Sequence, residues 1–204
     1  MRIGTFGGSF DPIHQGHLIL AEQCLEHANL DEVWFIPAAL SPHKQDGAHA
    51  NDRQRVEMIE FAIAGHSSFL LSKTELERGG VSYTVDTLTQ INEEKPDDDL
   101  FLLIGGDSLA KFDTWRNPEK ICRLATPLVV GRPGSPPVDL SAFEPYADHQ
   151  QMAEIERYAF NSRMIEISST ELRARSAAGR SLRYLLPRAV EKYIETKELY
   201  QQPQ

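Results

Sequence analysis

Gly4-Thr5-Phe6-Gly7-Gly8-Ser9-Phe10-Asp11-Pro12-Ile13-His14-Gln15-Gly16-His17 decides how this chain is read. An apolar, strand-like run (2–6) leads into it and a helix-length segment (17–27) follows, so its glycines fall at a strand-to-helix turn. Such a turn offers backbone N–H groups and the positive end of a helix dipole to an anion. Gly7 and Gly8 permit close backbone approach and unusual φ values. The spacing is neither G-x-G-x-x-G nor G-x-x-x-x-G-K-[ST], which disfavours a dinucleotide fingerprint and a P-loop. His14 and His17 stand three apart, so a helix beginning near Pro12 places them on one face of its first turn. Spacing alone leaves open capping histidines beside a glycine turn, a metal pair, and two imidazoles facing an anion. The metal reading lacks an H-E-x-x-H pattern and a third ligand at metal-like spacing.

Outward from this turn, apolar β-rich runs alternate with helix-length segments, as in βαβ units around a parallel sheet. The runs predict strands at 2–6, 32–37, 69–72, 100–105, 127–131 and 164–167. Most are continuously apolar, which suits strands buried on both faces. Helices are predicted at 17–27, 52–64, 84–94, 111–122, 150–160, 169–178 and 187–197. Residues 38–51 read as a polar, histidine-rich loop, and 131–148, with Pro133, Pro136, Pro137 and Pro145, as a long surface loop. The expected architecture is a single-domain, Rossmann-like α/β fold over residues 1–204. Its doubly wound, mostly parallel sheet carries the site at the carboxyl ends of the strands, and helices close the chain.

Composition narrows the function. A chain of 204 residues with 41% apolar content supports one substantial core. No run approaches the ~18 apolar residues of a membrane span, and the start lacks the basic and apolar regions of a signal peptide. Cys24 and Cys122 form no C-x-x-C pair and read as buried free thiols of a reducing cytoplasm. The formal net charge of −9 argues against broad nucleic-acid binding, including a module built on Arg173, Arg175, Arg180 and Arg183. An anionic ligand would have to be held by a few placed cations and helix N-termini.

One such place is Ile167-Ser168-Ser169-Thr170-Glu171-Leu172-Arg173. Ser168 with Glu171 makes an S-x-x-E capping box, and extra hydroxyls plus an arginine one turn in make that helix start a phosphate receptor. The GGSFDPIHQGH run resembles the signature of the nucleotidyltransferase superfamily with the HxGH motif, and the second run is similar to its ISSTxxR element. Leu172 fills a slot usually held by isoleucine. The resemblance implies that His14 and His17 touch ATP phosphates and stabilise transition-state charge. It places Gly7, Gly8, Ser9 and Phe10 on the ATP side, and has Ser168, Ser169, Thr170 and Arg173 cradle the β- and γ-phosphates.

Four further stretches narrow the resemblance to nicotinic acid mononucleotide adenylyltransferases. Pro42-His43-Lys44 implies that Lys44 neutralises phosphate with His43 nearby; on its own a loop lysine is ordinarily just solvated. Glu77-Arg78-Gly79-Gly80-Val81-Ser82-Tyr83-Thr84-Val85-Asp86-Thr87-Leu88 is similar to ERxGxSYTxDTL, and by itself reads as a turn and a Thr-capped helix. Gly105-Gly106-Asp107-Ser108 resembles a GxD element whose aspartate meets the ATP ribose. Phe112-Asp113-Thr114-Trp115-Arg116 resembles a pattern whose tryptophan stacks on a pyridine ring, although a tryptophan in a helix is more often core. Pantetheine-phosphate and cytidylyl transferases share HxGH without this combination. The resemblance spans nearly the whole chain apart from 131–148. It implies ATP with Mg²⁺ and nicotinic acid mononucleotide as partners, with acceptor contacts from His43, Lys44, Tyr83, Thr84 and Trp115. No protein ligand for the metal, no nucleic acid and no membrane are expected, and a homo-oligomer is left open. A nucleotide-sensing relative that had lost the chemistry should lack His14, His17, Lys44 or Arg173, and all four are present.

Overall fold

A computed structural model describes residues 1–42, 48–131, 138–162 and 166–201, without the Asp107 side chain. Its centre is a six-stranded parallel sheet in the order β3-β2-β1-β4-β5-β6. The strands are β1 (Arg2–Gly8), β2 (Glu32–Pro37), β3 (Phe69–Leu71), β4 (Asp99–Gly105), β5 (Thr126–Gly131) and β6 (Phe160–Asn161). The helices between and after them are α1 (Gln15–His27), α2 (Asp52–Ile63), α3 (Thr74–Arg78), α4 (Thr84–Glu94), α5 (Gly106–Leu109), α6 (Pro118–Leu124), α7 (His149–Tyr158), α8 (Ser169–Ala177) and α9 (Arg188–Thr196).

Period-2 alternation in continuously apolar strands builds two cores, one on each face of the sheet. Val33, Phe35, Phe101, Leu103, Leu128 and Val130 point to one face, packing with residues of α1, α2, α8 and α9. Ile36, Leu100, Leu102, Ile104 and Val129 point to the other, packing with α4, α6 and α7. The expected doubly wound α/β architecture is therefore present.

Three expectations change. The sixth strand is not 164–167: the pairing to β5 is made by Phe160 and Asn161, which stand opposite Val130 and Gly131. Of the predicted stretch, Glu166 and Ile167 lie outside any strand, and 164–165 lie outside the described residues. The end of the predicted 150–160 helix is thus strand, since α7 stops at Tyr158. The 111–122 helix is instead a 3₁₀ turn (Phe112–Thr114) followed by α6. Asn117 in a left-handed conformation caps α6 and Pro118 occupies its first turn, a pairing that starts a helix and cannot continue one. Finally, the 131–148 segment is not wholly a surface loop. Its 3₁₀ turn Leu140–Phe143 drives Phe143 fully into the core against Phe112, at 4.7 Å between ring centroids; residues 132–137 lie outside the described residues.

Candidate active site

The strand order reverses between β1 and β4, so the loops leaving their carboxyl ends diverge and open a crevice. β1 ends at Gly7 and Gly8 and β4 at Gly105, which brings the two glycine-bearing turns side by side. Gly8 has a specific reason to be glycine. A Cβ there would stand 3.1–3.3 Å from the Phe10 ring. That ring is buried against Phe6, Phe35 and His17, so Phe10 can offer a ligand only its backbone, which is held at φ +45°.

The helix begins later than Pro12. The Asp11–Pro12 peptide is cis, His14 is the N-cap in extended conformation, and α1 starts at Gln15. The two histidines nevertheless meet, with rings stacked at 3.7 Å between centroids and 21° between planes. The His14 backbone N–H donates to His17 Nδ1 at 3.2 Å, so a neutral His17 carries its ring proton on Nε2. His14 is 5% exposed, and burial pushes its pKa down to about 4. At neutral pH it is an uncharged imidazole.

The second signature reaches this turn across the molecule. Ser168 caps α8 by accepting from the Glu171 N–H at 3.1 Å, the forward half of the expected capping box. Ser169 Oγ donates to the Pro12 carbonyl at 2.9 Å. Arg173 spans 162 positions of sequence to donate from Nη1 to the Asp11 carbonyl at 2.7 Å, while its Nη2 donates to Thr170 Oγ1 at 3.3 Å. The start of α8, an arginine and the histidine pair thus share one wall, suited to a polyanion.

Beyond Gly7–Ser9 the crevice widens into a cavity of about 240 Å³. Its walls include Ile36, Ala38 and Pro42 from the β2 end, Tyr83, Thr84 and Thr87 from α4, and Trp115 with Arg116. His14, His17, Ser169, Thr170 and Arg173 do not line it, so the anion wall and the cavity are neighbouring compartments that meet at Gly7–Ser9. Trp115 is not helical: it follows the 3₁₀ turn in extended conformation, half-buried, with its ring tilted against Phe112. Nor is α4 capped by a threonine. Its N-cap is Tyr83, which makes no side-chain cap bond, and Thr84 is its first residue. Asp86 pairs instead with Arg116 at 3.2 Å, and the Arg116 guanidinium lies 4.8 Å over the Tyr83 ring. His43 and Lys44 lie outside the described residues, as does the side chain of Asp107.

Sequence reasoning reads Arg55 as a surface or loop-pinning residue, and pinning is its role, from a buried position; two further supports, at Glu75 and Tyr200, escaped it. Arg55 is fully buried and donates to the carbonyls of Ser9 (3.0 Å) and Ala38 (2.7 Å), tying the β1 and β2 loops together. Glu75, also buried and in the cavity wall, accepts from Thr87 Oγ1 at 2.6 Å, and Arg78 donates to the same hydroxyl at 2.9 Å. This chain fixes α3 against the first turn of α4. Tyr200, at the far end of the chain, reaches Asp11. Tyr200 and Asp11 are 189 positions apart, and the Glu75–Thr87 pair, only 12 apart, joins two helices across a turn, so no helix or strand period marks either; the charge of Arg55 next to a helix start was the visible signal. Among the described residues no three His, Cys, Asp or Glu side chains come together as a metal would require. No described helix is long and apolar enough to cross a membrane.

The family model for cytidylyltransferase-like proteins matches residues 5–175. A Salinibacter ruber protein named "Probable nicotinate-nucleotide adenylyltransferase" is 44% identical over 200 residues, covering 98% of each chain. A Rhodopirellula baltica protein of the same name is 42% identical over 198 residues, covering 97% of this chain and 92% of the other. Among solved structures, the Plasmodium falciparum nicotinic acid mononucleotide adenylyltransferase complexed with NaAD superposes with a TM-score of 0.75 over 98% of this chain and 97% of its own. At 19% identity that likeness speaks to the fold. With full-length identity above 40% and a glycine turn, histidine pair and capped helix start in one crevice, the chain belongs to the nicotinate-nucleotide adenylyltransferase family of cytidylyltransferase-like proteins.

Proposed function

We propose that this chain transfers the adenylyl group of ATP to nicotinic acid mononucleotide, giving nicotinic acid adenine dinucleotide and pyrophosphate on the route to NAD. The observation that carries the reading is the stacked His14–His17 pair, with Arg173 resting on the Asp11 carbonyl of the same turn, beside a cavity walled by Trp115 and the open start of α4. The names of the full-length relatives support the same acceptor.

In this reading the acceptor 5′-phosphate oxygen attacks the α-phosphorus of ATP. The new P–O bond forms in line as the bond to the β-phosphate oxygen breaks, and pyrophosphate leaves with that electron pair. No side chain acts as nucleophile. His14 and His17 donate to the oxygens on which charge grows, beside the amides of Gly7, Gly8, Ser9 and Phe10. Ser168, Ser169, Thr170 and Arg173 hold the β- and γ-phosphates at the start of α8, and Gly105 with Asp107 borders the ribose. Lys44 neutralises phosphate from the loop after β2, with His43 near it. Trp115 stacks on the pyridine ring, while Tyr83 and Thr84 present N–H groups to its substituent. ATP arrives as its Mg²⁺ complex, whose metal would be held mainly by phosphate oxygens and water, so no protein ligand is assigned to it. The chain works as one cytoplasmic catalytic domain without nucleic acid or membrane, alone or as a homo-oligomer.

Pyrophosphate release, measured with MgATP against nicotinic acid mononucleotide, nicotinamide mononucleotide and 4′-phosphopantetheine, tests this directly. Release with the first acceptor at the highest efficiency is expected. Release only with phosphopantetheine, or only when CTP replaces ATP, would move the chain to another branch of the superfamily.

A further inference from the structure

Past α9, residues 197–201 follow a defined path. Glu198 and Tyr200 both adopt left-handed backbone conformations, φ +50° and +63°, which turn residues 198–200 back onto the domain. The Leu199 N–H donates to the Ile194 carbonyl at 3.0 Å, and Leu199 packs against the core. The Leu199 carbonyl in turn accepts from Ser176 Oγ at 3.1 Å, binding the tail to α8, the helix that carries Arg173.

This path delivers the Tyr200 hydroxyl to Asp11, inside the glycine turn. The Asp11 carboxylate is 2% exposed and fully engaged. Oδ1 accepts from Tyr200 at 2.7 Å and from the Ala50 N–H at 3.1 Å. Oδ2 accepts from the His49 N–H at 2.7 Å and lies 3.3 Å from its ring Nδ1. The carbonyl of this same Asp11 is the group on which Arg173 rests. The Arg173 and Arg55 guanidinium charges act on the Tyr200 hydroxyl, yet burial foremost, together with Asp11, keeps it protonated as a donor.

The geometry points to Tyr200 as a positioning residue for the ATP side of the site: its hydroxyl fixes Asp11, and Asp11 fixes the carbonyl that aims Arg173. The inference rests on the functional reading above only in taking that wall as the triphosphate wall. The acceptor cavity makes no use of the tail, because neither Asp11 nor Tyr200 lines it. A defect at Tyr200 is therefore felt by one substrate and not by the other.

Tyr200→Phe keeps the ring and removes only the donor. Two measurements on the full chain test it: calorimetric binding of MgATP alone, and the Michaelis constants for both substrates. The expected result is MgATP binding weakened about tenfold, the ordinary size of one lost hydrogen bond to a charged group, with the acceptor constant within about twofold of wild type. Tyr193→Phe is the matched control. It loses a tyrosine-to-carboxylate bond of the same kind, to Glu57 on α2, and should change neither constant. A Tyr200→Phe protein with both constants unchanged and only a lower melting temperature would make the residue merely structural. Equal weakening of both substrates would also overturn the proposal. A wild-type chain that does not bind MgATP at all would refute the functional reading instead, so the two failures are separable.

Discussion

The two compartments of the crevice are built by opposite means. On the anion wall, position is set by backbone: Arg173 and Ser169 rest on the carbonyls of Asp11 and Pro12, and His14 is sunk into the fold. In the cavity proposed for the acceptor, the walls are side chains at the ends of short elements. Trp115 follows a three-residue 3₁₀ turn, and exposed Arg116 lies on Tyr83. Stabilising charge that appears only at the transition state favours dipoles fixed in advance, since reorganising them during the reaction costs rate. An acceptor that must enter and leave needs surfaces that fit without being locked. Disturbing the anion wall should therefore strike turnover and ATP, whereas disturbing the acceptor wall should strike affinity for the mononucleotide.

The largest effect should come from His14. His14→Ala is expected to lower turnover roughly 10²- to 10⁴-fold with the fold intact by circular dichroism, the range for losing a transition-state donor. Near-normal turnover in a folded variant would remove the histidines from the chemistry and erase the contrast between the walls.

Burial of His14 also predicts a pH effect on the unliganded chain. Above the unfolded pKa of about 6.5 both states carry a neutral imidazole, so this group adds no pH dependence. Between there and about 4 only the unfolded state takes up the proton, and stability falls as pH falls; below that the loss is complete. The full loss is about 3 kcal/mol. Urea midpoints across this window should drop more steeply for wild type than for His14→Asn, which cannot titrate. Parallel curves would mean that His14 is not held neutral.

Arg173→Ala should come next, raising the Michaelis constant for ATP about ten- to hundredfold, or 1.5–3 kcal/mol, while sparing the acceptor. A raised acceptor constant with ATP unaffected would exchange the identities of the two compartments.

What the sequence made legible follows the same division. β2 is read to the residue, and the signature turn and the capped start of α8 are read as such, because their chemistry is local: a glycine where a side chain would meet Phe10, a serine that caps three residues on. The acceptor side is read less well. Asn117-Pro118 announced a new helix, yet the apolar spacing from Phe112 to Cys122 masked the break, which placed Trp115 on a helix it does not occupy. β6 is two residues of an edge strand, Phe160 and Asn161, too short to carry any period, so the more apolar stretch after it drew the assignment. The partners of Arg55, Glu75 and Tyr200 were illegible because no helix or strand period marks them: Ser9 and Ala38 for Arg55, Thr87 for Glu75, Asp11 for Tyr200. One chain without its fold does not say which of these groups meet.

The smallest expected effect is the most discriminating. α4 begins at Thr84 without a side-chain cap, and Tyr83 and Thr84 line the cavity with Trp115. Amides at an open helix start favour a carboxylate over a neutral carboxamide, both as charge-assisted acceptors and through the dipole. Nicotinic acid mononucleotide should therefore exceed nicotinamide mononucleotide in kcat/KM by about 1.5–3 kcal/mol, the difference a charged hydrogen bond makes. Stacking on Trp115 reads the ring and not the charge of its substituent. Trp115→Ala should consequently weaken both mononucleotides by about 1 kcal/mol, the scale of an aromatic pair, and leave the ratio between them within about twofold. Matched kinetic runs at saturating ATP measure both numbers. A ratio that collapses in Trp115→Ala would mean that the ring's placement by tryptophan, not the α4 amides, carries the discrimination, and the acceptor wall would prove as tightly positioned as the anion wall.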